Sequence, residues 1–131
     1  MKHWNDLDGS IFFNMVFSKP ISIKSIKLFT LKIDNNQPSL IMGFDIQDIP
    51  DKPPKKWSNS TFNACRIGLD CSELSDLIIK NIPTSEILNI TITRHDDVFK
   101  ICARSENSLI EFSTKFPRLC GPSVYLTETP M

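Results

Sequence analysis

Glycine is scarce in this chain. Four glycines among 131 residues leave no phosphate-cradling loop and no nucleophile elbow, both of which need glycine at fixed offsets. Histidine is scarcer still. His3 and His95 are the only two, so any acid–base mechanism must rest on them or on carboxylates. The cysteines, Cys65, Cys71, Cys102 and Cys120, include no C-x-x-C pair and have no histidine at zinc-ligand spacing. Net charge is absent: 15 basic residues balance 15 acidic ones. That removes the global electrostatic argument for nucleic acid or a membrane surface. No apolar run approaches the roughly 18 residues of a membrane-spanning helix. The opening residues, MKHWNDLDGS, contain no signal-peptide core, so the cytoplasm is the expected compartment.

What remains is an ordinary globular composition. Hydrophobic residues make up 40% and charged residues 23%, and the length suits one domain spanning residues 1–131. Such a chain buries a core without disulfide or metal staples. The four cysteines are expected to be reduced and packed as small hydrophobes. A monomer is the expected state, with no cofactor and no metal.

The hydrophobic pattern predicts strands. A short helix is expected over Ile11–Phe17, capped by Ser10, with Ile11 and Met15 turned inward along with Phe12 and Val16. After Pro20 the alternation has a period of two. Ile21–Ile33 slips phase between Leu28 and Phe29, which marks a bulge. Leu40, Met42, Phe44 and Ile46 define one strand face, and Cys65, Ile67, Leu69 and Cys71 another. Leu77–Ile82, Leu88–Ile92, Phe99–Ala103, Leu109–Phe116 and Ser123–Thr127 complete the series. Short turns between strands imply antiparallel meander pairing. The expected fold is α+β and mostly β: one antiparallel sheet of about seven strands with a short N-terminal helix on one face.

Three local features invite chemistry. Asp6-Leu7-Asp8-Gly9 spells the start of a calcium loop, but its twelfth position is Phe17, where a bidentate carboxylate is required. Asp6 and Asp8 are better read as acids favoured by a helix N-terminus. His95 falls in a turn beside Asp96 and Asp97, and His3 lies near a terminus expected to be mobile. A histidine-dependent nuclease is the enzymatic alternative they leave open. Finally, PDKPPKKW at Pro50–Trp57 combines fixed φ angles with missing amide donors, a stiff and extended connector. Pro50-Asp51-Lys52-Pro53 also spells P-x-x-P, so a protein-interaction scaffold is a second alternative. Lys52, Lys55 and Lys56 are too few for a nucleic-acid patch. Trp57 is expected to pack on the sheet edge and anchor the loop.

In their order and spacing, HWNDLDGS, the strand ending FDI, IPDKPPKKW and FNACRIGLDCSELSDLIIKNI resemble the immunity protein 50 family of bacterial polymorphic-toxin systems. The resemblance runs over about residues 3–115. Its most specific part is Pro50, Pro53, Pro54, Lys56 and Trp57, which reads as a structural signature of the loop. It implies a non-catalytic protein that binds a cognate toxin and neutralises it by tight occlusion. Many such toxins attack nucleic acids through basic clefts, and carboxylates can steer to those clefts. The acids of the predicted turns, Glu73, Asp76, Glu86, Asp96, Asp97 and Glu106, are therefore the candidate partner-binding set. On composition alone they are ordinary solvated turn residues.

Overall fold

Alternation of apolar and polar residues fixes most of this chain. In the computed structural model, which describes residues 1–131, β2 (Ser39–Ile46) and β3 (Ala64–Ser72) pair antiparallel. Leu40 faces Cys71, Met42 faces Leu69, Phe44 faces Ile67 and Ile46 faces Cys65. None of these eight is more than 3% exposed. A slip of one residue would turn the whole row to solvent, so burial sets the register.

The other strands are β1 (Ser25–Asp34), β4 (Ser75–Lys80), β5 (Leu88–His95), β6 (Val98–Arg104), β7 (Leu109–Thr114) and β8 (Phe116–Tyr125). All eight form one antiparallel sheet in the order β4-β7-β6-β5-β1-β2-β3-β8. The mostly-β class is as expected, with one strand more. The expected phase slip in β1 is present as a register shift between Leu28 and Thr30.

The pairing is not the simple meander expected. β1-β2-β3 and β5-β6-β7 are meanders, but β4 pairs with β7 and β8 with β3. The cause is a shared bend. β3 runs into β4 through Glu73 and Leu74, and β7 runs into β8 through Lys115. Ser72 still faces Phe116, and Ser75 faces Ser113, so two long chains stay antiparallel across the corner. Left-handed backbone at Glu73 (φ 50°) and Asp76 (φ 56°) turns it. The sheet thus folds back on itself around one cluster of 22 buried residues drawn from both halves. On the opposite side the halves meet only briefly, Ser25 against Asn89 and Ile26 against Leu88.

The N-terminal segment departs from expectation. Helix α1 (Ile11–Val16) buries Phe13 and Val16, followed by Phe17. Ile11 and Met15, expected inside, are 80% and 66% exposed. Six of the seven residues from Ile11 to Phe17 are apolar, so periodicity cannot choose the buried face; the Phe13–Phe17 stack at 4.6 Å does. Ser10 does not cap the helix through its side chain but donates its hydroxyl to the Asn5 carbonyl at 2.9 Å.

Nor does the terminus hang free. Trp4 is 1% exposed against Phe44, its amide donates to the Ile21 carbonyl, and Ile23 donates to Lys2. Gly9 (φ +82°) lies against β8, where Leu119 donates to Asp8 and a Cβ on Gly9 would stand 2.4 Å from the Leu119 carbonyl oxygen. The tail differs too: β8 begins at Phe116, seven residues before the strand expected at Ser123. No helix is long and apolar enough to cross a membrane.

Candidate partner-binding surfaces

The proline–lysine loop is fastened to α1. Lys52 donates its amide to the Val16 carbonyl at 2.9 Å, and Ser18 donates both amide and hydroxyl to the Asp51 carboxylate. Those Ser18 bonds, hydroxyl first, hold the Asp51 carboxyl below its ordinary value. Pro50 is buried, so the P-x-x-P spelling is sewn to the fold and is not a free extended ligand. A 3-10 turn at Lys55–Trp57 then presents the indole. Trp57 packs edge-on to Phe12 (5.6 Å) and Phe62 (6.3 Å), and the Lys56 ammonium sits over Phe12. The expected anchor against the sheet edge is instead an anchor against the helix, which offers an aromatic face at that height. Trp57 is half-buried.

The two histidines have different surroundings. His3 bridges backbone with Ser22 and stands 3.7 Å from Asp6. His95 ends β5 opposite Val98 and is exposed. Asp6 and Asp8 are not in the first turn of α1: Asp6 belongs to the 3-10 turn Trp4–Asp6, and Asp8 bridges to Arg118. The cysteines also divide. Cys65 and Cys71 are fully buried, and desolvation pushes both thiols up to about 12. Cys102 is half-buried and Cys120 exposed, against the expectation that all four pack inside. Cys120 faces Gly68 on the outer side of β8, because Leu119 takes the inner position opposite Leu69.

The six candidate acids do not form one surface. Asp96 and Asp97 make the β5–β6 turn, with Asp96 left-handed at φ 57°. Asp97 lines a cavity of about 370 Å³ with Asp6, Asp8, Arg94 and Lys115. Glu73 reaches the same end, 3.9 Å from Lys115, and Asp76 follows on β4. Glu86 and Glu106 lie at the far end of the β5–β6 pair, where Ser105 and Ser108 donate to the Glu86 carboxylate at 2.5 and 3.0 Å. Glu86 thus organises the β6–β7 turn.

One cluster on the outer sheet face has no sequence signal beyond its alternating position. Asp45 on β2 is 7% exposed although it points away from the core. Arg66 on β3 donates Nε–H to Asp45 at 3.0 Å and Nη2–H to the Tyr125 hydroxyl at 3.0 Å. Tyr125 on β8 in turn donates to Asp45. Burial, then that bond to Asp45, pushes the Tyr125 hydroxyl above its ordinary range. The guanidinium is sandwiched between Phe29, 3.4 Å from the ring centroid, and Tyr125 at 4.4 Å. Gly43 makes room: a Cβ there would stand 2.8 Å from the Phe29 ring. Arg and aromatic side chains held rigidly in this way are the chemistry of interface hot spots. Long-range strand register, invisible in the sequence, brings these four together.

Comparisons with known proteins now bear on these surfaces. No curated protein and no solved structure matches the chain. The model of the family described as immunity protein 50 matches residues 10–125, a span that takes in the helix-fastened loop, the outer-face cluster and all eight strands. The chain belongs to the immunity protein 50 family.

Proposed function

We propose that this protein binds a cognate toxin in the bacterial cytoplasm and neutralises it by occlusion, with no chemistry of its own. The family match over residues 10–125 carries the reading. The side chains agree with it. The polar group Asp45–Arg66–Tyr125 has its charges engaged with one another and offers no free base or nucleophile. The acids at the Asp97 end, with Asp6, Asp8 and Glu73 near Lys115 and Arg94, suit steering toward a basic toxin cleft.

The test is co-expression with whatever toxin domain the adjoining reading frame proves to encode. Cells should survive, and the His3→Ala/His95→Ala double variant should protect equally well. Death of the cells despite folded, abundant protein would refute the toxin reading. Loss of protection in the folded double variant would refute the non-catalytic one. Reversing Asp96 and Asp97 together to lysine should slow association at low salt and flatten its salt dependence. An unchanged rate would remove that end of the molecule from the encounter.

A further inference from the structure

β1 leaves one edge bare. β2 pairs with it from Ile26 to Asp34, whereas β5 reaches only Ser25 and Ile26. Between Lys27 and Asp34, alternate residues therefore direct N–H and C=O groups away from β2 toward no strand. Side chains record the same gap. Leu40 and its β1 partner Ile33 share the inner face, yet Leu40 is 0% exposed and Ile33 52%. The second half of the folded sheet stops short of this row. Across the gap stand Ile79 on β4, then Ile82, which is 73% exposed, and Pro83. Together with Leu28, Leu31 and Ile33 they line an apolar groove of about 290 Å³. β4 pairs only with β7, so its near edge is free as well.

We propose that this groove receives an extended segment of the partner, added as a strand along β1 and closing the gap in the folded sheet. In the immunity reading, on which this rests, that partner is the toxin. The walls specify the segment. Its inward side chains meet Leu28, Leu31 and Ile33 and must be apolar. Its outward ones lie beside Lys27 and Lys32, which share the outer face with Asp45 and Ile41, and are best acidic. Backbone hydrogen bonds supply affinity, and the alternation supplies specificity. A second copy of this chain fits worse, because β1 against β1 crowds both sets of lysines onto one side.

The test uses a capped synthetic peptide of alternating valine and glutamate, with two controls. One control replaces glutamate by lysine, and the other N-methylates the valines to block one backbone edge. Hydrogen exchange of those amides of residues 27–34 that point away from β2 is read by NMR at millimolar peptide. The Val–Glu peptide should slow those amides by roughly tenfold, and neither control should. Ile33→Asp and, independently, Ile82→Asp should abolish the effect; both sites are exposed, and unchanged thermal midpoints would confirm that the variants fold. Equal protection by the N-methylated peptide, protection elsewhere only, or a peptide-free dimer that covers residues 27–34 would overturn the proposal. The reading beneath it is tested separately. If Ile33→Asp neutralises the co-expressed toxin at full strength, the groove is not its docking site although the immunity reading stands. If the unaltered protein fails to neutralise, that reading falls whatever the peptide does.

Discussion

Asp45 is nearly buried on a face that should be wet, and it depends on Arg66. Replacing Arg66 by methionine keeps much of the stacking surface between Phe29 and Tyr125 but leaves the carboxylate without its cation. The expected loss is about 2 kcal/mol, below the roughly 3–5 kcal/mol of a fully buried pair because Arg66 is partly exposed. Chemical denaturation of Arg66→Met checks it, and Arg66→Met/Asp45→Leu should recover most of the loss. Thiol chemistry makes a second residue-scale prediction. With native protein, maleimide should modify Cys120 first and Cys102 slowly. Cys65 and Cys71, buried and pushed up to about 12, should react only on unfolding. Of these residues, the sequence revealed the cysteines on β3 through parity with Ile67 and Leu69. It concealed the Asp45 cluster, whose members are far apart in the chain and meet only through strand register.

Helix α1 and the proline–lysine loop behave as one element. Trp57 is half-buried on Phe12, so Trp57→Ala should cost about 1–2 kcal/mol, short of the roughly 3–5 kcal/mol of a fully buried aromatic. Urea unfolding monitors it. The Ser18–Asp51 tie adds a pH signature. Asp51 has its pKa lowered from 3.8 in the folded protein, so the stability it contributes is present above that value and is lost as pH falls through the folded pKa. The difference in thermal midpoint between the parent and Ser18→Ala should therefore be largest near neutrality and vanish in strong acid. A difference that persists there would assign the effect to packing. At this scale the strands of the central sheet were legible because alternation is strict. The helix phase was not, because a short and nearly all-apolar run fits every face, and only the pairing of Phe13 with Phe17 inside the core decides it.

For the whole molecule, sequence disclosed the class and the antiparallel sense of pairing but not the closure. Short turns imply hairpins, and β1-β2, β5-β6 and β6-β7 are hairpins, whereas β2 and β3 pair across the long proline–lysine connection. Nothing local announces that β3 continues past a bend into β4, since a bend of left-handed Glu73 and Asp76 looks like any polar turn. The bend also dictates an order of events. β8 covers the outer edge of β3, and its Leu119 amide receives the N-terminal segment at Asp8. Until β8 leaves the ribosome, the nascent chain carries an uncovered β3 edge beside Cys71, Leu69 and Ile67, the kind of edge that recruits other chains. Folding of this half of the sheet therefore waits for β8. Ribosome-stalled chains ending before Phe116 should be digested readily by protease, and chains that expose all of β8 should resist. Each new chain therefore carries a bare β3 edge for as long as translation from Ser72 to Tyr125 takes.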